Sequence, residues 1–268
     1  MKKIILFYCI LIPFFSYPQK QGNIWIFGKY AALDFNSGSP TPFTGSQIRG
    51  YPSLPGDFLY SEGCSSISDS SANLLFYSNG GHAWNRLHLP LFNDDSLMGF
   101  YSSTTAAFII PKPGNDSLYY LFTTGGIERY LSAGLRYSMV DMCLDNGYGG
   151  IIATEKNVLV LDTAGEKLSA VRHPNGTNIW LISHKHFTNS FYAYEITPTG
   201  INPPVITHIG SIHTGNPGYY GGCGTAIGQM KVSPNGTKLA LVFSNISPSV
   251  AELFDFDANT GILTNCIS

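Results

Sequence analysis

The feature that most constrains this 268-residue chain is a repeated hairpin. His173-Pro174-Asn175-Gly176-Thr177-Asn178 leads into the apolar run Ile179-Trp180-Leu181-Ile182-Ser183. Sixty residues later, Ser233-Pro234-Asn235-Gly236-Thr237-Lys238 leads into Leu239-Ala240-Leu241-Val242-Phe243. Asn-Gly tolerates the positive φ values of a two-residue type I′ turn. Each run is therefore expected to close a hairpin on the strand-like stretch before it, Lys167–Arg172 in one case and Ile227–Val232 in the other. Weaker copies precede them, Ser65–Asp69 with Leu74–Ser78 and Ala107–Pro111 with Leu118–Phe122.

Each hairpin is followed by a third strand, at His82–Asn85, Leu135–Asp141, Phe191–Ile196 and Val250–Phe256. Fourth strands are expected at Val158–Leu161, Val205–Ile209 and Ile262–Thr264. The second strands are spaced by 44, 61 and 60 residues. A four-strand unit repeating at about 40–50 residues, lengthened by loop insertions, is the signature of a β-propeller. A β-sandwich with irregular hairpins is the competing all-β arrangement. Asn23-Ile24-Trp25-Ile26-Phe27 resembles Asn178–Ile182, a second strand, and Ala31–Pro40 resembles a third strand and its turn. The expectation is an all-β β-propeller of four-stranded antiparallel blades, with about five blades over residues 19–268. The first blade lacks its inner strand, and the ring is partial and open.

Composition narrows the function. Charged residues make up only 12% of the chain and the net charge is -2, which argues against a phosphate-backbone footprint and hence against nucleic acid. Apolar residues make up 44%, the opposite of the disorder signature. At the N-terminus Lys2-Lys3 precedes the apolar run Ile4–Phe15 and then Ser16-Tyr17-Pro18, the layout of a secretory signal peptide over residues 1–18. The run is too short to span a bilayer, and Tyr8 before Cys9 does not suit a lipoprotein signal, so the mature chain is expected to be exported without a membrane span. Export permits disulfides. Cys64, Cys143, Cys223 and Cys266 allow three pairings, among which spacing does not choose.

Gly22–Gly28 with Leu33-Asp34-Phe35-Asn36-Ser37-Gly38-Ser39-Pro40 resembles the start of a family of exported Bacteroidetes propeller proteins. Glu62–Asp69, Ile110–Gly114, Leu135–Met142 and Glu166–Val171 fit the same family. The resemblance implies a WD40/YVTN-like, seven-bladed propeller, commonly followed by PKD-type domains and a type IX secretion C-terminal sorting domain. It therefore also implies the downstream domains of a full-length protein as partners, and supplies no catalytic residues.

Little in the chain suggests chemistry. Asp255 and Asp257 alternate before Asn259-Thr260-Gly261, a turn pattern more than a calcium site. His184-Lys185-His186 offers two imidazoles, too few for a closed zinc site, so no metal and no cofactor are expected. No GxSxG or HExxH motif occurs, and no catalytic residue is assigned. A binding role fits better. The loops that share one rim of a propeller would carry Arg129, Tyr130, His184, His186, Tyr219 and Tyr220, with Tyr51, Tyr60 and Tyr101 nearby. Tyr joins large area to a polar tip, which suits protein or glycan ligands. The expected function is a secreted or cell-surface binding scaffold. Two other readings stay open: a propeller enzyme acting on glycans, with Glu62 and Asp69 as its acids, and a truncated fragment without independent function.

Overall fold

The computed structural model describes residues 20–28, 30–44, 62–214, 224–243 and 250–268. Among them, twenty strands form five antiparallel sheets, and each sheet is built from strands consecutive in the chain. Blade 1 holds β1 (Ile24–Ile26), β2 (Ala31–Asp34) and β3 (Thr41–Thr44). Blade 2 holds β4 (Ser65–Ser68), β5 (Leu74–Ser78) and β6 (Ala83–Asn85). Blade 3 runs β7 (Ala107–Pro111), β8 (Leu118–Thr124) and β9 (Leu135–Asp141), with β10 (Gly150–Ile151) and β11 (Val158–Leu161) sharing the outer edge of β9. Blade 4 runs β12 (Ala164–Arg172), β13 (Ile179–Lys185) and β14 (Ser190–Thr197), and its outer edge is likewise shared by β15 (Gly200–Ile201) and β16 (Val205–His208). Blade 5 is the regular four-stranded meander β17 (Met230–Val232), β18 (Lys238–Phe243), β19 (Val250–Asp257) and β20 (Ile262–Ile267).

Blades pack face to face in chain order. Side chains alternate across a strand, so one set of each sheet meets the blade before it and the other set the blade after it. In β8, Tyr119 and Leu121 join the core shared with blade 2, while Tyr120 and Phe122 join the core shared with blade 4. In β13, Leu181 faces blade 3, and Trp180 and Ile182 meet Leu239, Leu241 and Phe243 of blade 5. Ile24 and Ile26 meet Tyr77 of blade 2. Four apolar layers thus join five sheets, the packing of a β-propeller, and the predicted fold class holds.

Three local expectations are corrected. The Pro-Asn-Gly hairpins are not two-residue type I′ turns. His173 pairs with Asn178 and Ser233 with Lys238, leaving four-residue loops. The amide of Gly176 donates to the His173 carbonyl, and that of Gly236 to the Ser233 carbonyl. Only the glycines have positive φ (78° and 71°), so each loop opens with a turn carrying Pro at its second position and Gly at its fourth, as type I turns prefer. Asn175 contributes through its side chain instead, accepting from the amides of Thr177 and Asn178 at 3.0 and 2.9 Å. Second, Trp25 and Trp180 do not correspond: Trp180 is buried between blades 4 and 5, whereas Trp25 lies on the side of β1 away from blade 2 and is 49% exposed. Third, Asp69 accepts from the amides of Ser71 and Asn73 in the β4–β5 turn, so it shapes a turn and is not a channel acid. Asp257 likewise accepts from the Asn259 amide and the Thr260 hydroxyl, in line with its expected turn role.

Cys64, Cys143 and Cys266 carry free thiols, and Cys223 lies outside the described residues. Burial pushes the Cys64 thiol up to about 12. The segment 1–18 also lies outside the described residues, and within those residues no helix is long and apolar enough to cross a membrane.

Candidate functional site

The innermost strands of all five blades line one axial cavity of about 570 Å³. β1 contributes Trp25 and Ile26, β4 Ser65 and Ser66, β7 Ala107 and Phe108, β12 Leu168, and β17 Met230 and Lys231. Glu62, Gly63, Thr104, Thr105 and Gln229, just ahead of the inner strands, also line it. The lining is mixed: aromatic rings, hydroxyls, one carboxylate, one amide and one ammonium. That pattern suits an uncharged or weakly charged polar ligand more than a lipid or a polyanion.

From Glu62 a polar path leads outward to the rim. The Ser102 hydroxyl donates to Glu128 at 2.7 Å and lies 3.5 Å from Glu62, bridging the two carboxylates. Partial burial, with Glu128 nearby, raises the Glu62 carboxyl above its usual range, and Ser102 opposes that shift. Arg129 follows in the 3-10 turn Ile127–Arg129 and stacks over Phe100 at 4.9 Å. Beneath that stack lies a second pocket of about 200 Å³, formed with Met98, Gly126 and Ser132. Tyr130 closes the turn in the left-handed region (φ 52°) and is 66% exposed.

The rim residues expected from sequence therefore divide. Arg129 and Tyr130 stand together, exposed, in the β8–β9 connection of blade 3, at the outer end of the Glu62–Ser102–Glu128 path. His184 and His186 do not: both are buried. The reason is length, because β13 extends to Lys185, two residues past the apolar run, and carries His184 into the sheet. Tyr219, Tyr220, Tyr51 and Tyr60 lie outside the described residues.

Sequence reading missed the polar hub that the Ile127–Arg129 turn packs on. Ala164 pairs with Lys185 and Leu168 with Ser183, so Gly165, Glu166 and Lys167 stand opposite the single residue His184. This bulge re-aims two adjacent charged side chains into the interior. Glu166 accepts from the Thr104 amide (2.8 Å), the Thr104 hydroxyl (2.9 Å) and the Ile127 amide (2.9 Å). Burial raises its carboxyl, against the pull of those donors. The amide of Gly228 donates to the Thr104 hydroxyl oxygen at 3.3 Å, so blades 3, 4 and 5 are tied through one carboxylate. Lys167 donates to the carbonyls of Thr225 and Ala226, both at 2.7 Å, and burial lowers its ammonium to about 7 although Glu166 and Glu252 support the charge. The adjacent pair Glu166-Lys167 ahead of an apolar run was the available signal, but period-2 reading assigns one of them to solvent.

No protein-family model matches the chain, and no curated protein matches it. Among solved structures, a Bacteroides fragilis protein provisionally assigned as a 6-phosphogluconolactonase aligns with 90% of this chain at 12% identity and a TM-score of 0.47. The chain spans 65% of that protein's length.

Proposed function

We propose that this protein is a secreted or cell-surface β-propeller that acts as a binding scaffold and receives an extracellular glycan or protein segment at the axial mouth. The observation that supports this reading is continuity. Glu62, in the wall of a cavity lined by all five blades, is linked through the Ser102 hydroxyl to Glu128, the sequence neighbour of the exposed pair Arg129 and Tyr130. Arg and Tyr, with Trp, are enriched among the residues that carry most of the binding energy at interfaces.

The test is a glycan- and protein-array screen, followed by titration of any hit. Arg129→Ala with Tyr130→Ala is expected to weaken binding at least about tenfold, since each truncated anchor residue typically costs more than 1 kcal/mol. Thermal stability should be unchanged. Unaltered affinity would remove the mouth from the site. A second reading, a glycan-active enzyme, rests on the raised Glu62 carboxyl facing Glu128 across Ser102. Polysaccharide turnover that disappears in Glu62→Gln while binding persists would replace the scaffold by that enzyme.

A further inference from the structure

Six ionisable side chains gather at the junction of blades 4 and 5 with almost no exposure: Glu166, Lys167, His184, His186, His213 and Glu252. His184 and His213 stack with ring centroids 3.7 Å apart and planes 20° from parallel. Phe191 lies edge-on to His184 at 4.7 Å, and Phe243 packs on His213 at 4.6 Å. Both ring nitrogens of His184 are buried without a hydrogen-bond partner. Near-parallel rings send their lone pairs in parallel directions, so the two imidazoles do not converge on one ion. What the stack stores is a proton preference, because a dry, partnerless imidazole is stable only when neutral.

The same groups hold both described ends of the connection from blade 4 to blade 5. At its start, the Phe187 amide donates to the His213 carbonyl at 3.0 Å, and the His213 amide donates to the Thr188 carbonyl at 3.1 Å. Glu252 of β19 accepts from the Ser211 amide at 2.9 Å, and its other oxygen lies 3.9 Å from His213 Nε2. At its end, Lys167 holds the carbonyls of Thr225 and Ala226. We propose that the His184–His213 stack is an acid-released latch: a proton on either ring expels His213 and frees residues 209–214 from β13, β14 and β19.

The groups facing the stack fix the pH window. Burial lowers His184 well below its usual value, and His213, Lys167 and His186 add to that. Burial also lowers His213, with Lys167 adding and Glu252 opposing. A folded-state value below the unfolded one gives stability that is complete above about 6.5 and is lost as the pH falls below it. Lys167, lowered to about 7, carries a slope of the same sign that lies mainly above pH 7 and fades below it. Glu252 is lowered, so its contribution is lost only below its ordinary 4.5. Glu166 is raised and gives a slope of opposite sign above 4.5. Lys185 pairs with Asp162 toward solvent. The latch therefore works from about pH 6.5 downward.

Hydrogen exchange of the full chain, corrected for intrinsic rates, tests it at the amides of Ser211 and His213. Protection should fall by up to about tenfold between pH 7.0 and 5.5, the most that one proton taken up on opening can give below the unfolded histidine value. His184→Phe with His213→Leu should flatten that fall. Glu252→Gln keeps an acceptor for Ser211 and should deepen the fall, because the charge that eases protonation of His213 is gone. Flat protection in the unmodified protein, an unchanged fall in the double variant, or a shallower fall in Glu252→Gln would each overturn the latch.

Discussion

Gly228 and Gly176 both adopt positive φ, yet they stand in opposite situations. A Cβ on Gly228 (φ +132°) would sit 2.0 Å from the Val242 carbonyl oxygen, on a backbone locked by its bond to Thr104. A Cβ on Gly176 (φ +78°) meets nothing within 4 Å. Gly176→Ala should cost only the left-handed penalty, about 1–2 kcal/mol by urea unfolding. Gly228→Ala should cost well over that, or prevent folding. Equal effects would mean that the close approach of Gly228 to β18 within blade 5 adjusts freely. At this scale the sequence was read only in part. The Asn-Gly dipeptides marked turns at the right places, but the preceding prolines favour a turn opening one residue earlier, so the four-residue loop prevails. His184 looked like a loop residue because the strand containing it continues past its apolar run. Nothing in a residue pair such as Glu166-Lys167 shows that a bulge will turn both inward.

Strands were more legible than single residues. A hairpin needs only two alternating runs and a turn, all local, and the four hairpins β4–β5, β7–β8, β12–β13 and β17–β18 lie where the pattern places them. Outer strands were less legible, because they pack on one side and tolerate irregularity. In blade 2 the outermost position is a single bridge between Trp84 and Pro90, and in blades 3 and 4 it is split into two pieces. What holds blades 3, 4 and 5 together near the axis is the Glu166 carboxylate, a tie that no strand pattern encodes. Glu166→Gln would turn an amide group toward at least one of its three donors. The expected loss is about 2 kcal/mol, the usual cost of leaving a buried partner unsatisfied. Glu128→Gln, on the exposed side of the same mouth, should stay within about 0.5 kcal/mol, as surface changes do. Matching urea midpoints for the two variants would show that Glu166 is not the tie.

Across the whole molecule, the alternation that builds four interfaces also leaves large apolar side chains exposed on blades 1 and 5 among the described residues. By the 60-residue repeat, Ala240 and Val242 of blade 5 stand where Trp180 and Ile182 of blade 4 make the blade 4–blade 5 core. Yet Val242 is 47% exposed, and Leu253 beside it is 39% exposed. On blade 1, Trp25 contacts Phe27 and Phe35 with ring centroids at 6.3 and 4.8 Å, an aromatic cluster on the side away from blade 2. Contiguous exposed apolar surface of this kind drives association in water. Because these side chains contribute little to the four buried layers, replacing them should separate solubility from stability. Trp25→Ser combined with Val242→Ser is expected to reduce concentration-dependent light scattering, while the melting temperature moves by only a few degrees, the shift expected of about 1 kcal/mol or less. A large fall in melting temperature would show that these faces are already buried in solution, and unchanged scattering would show that association runs through another surface.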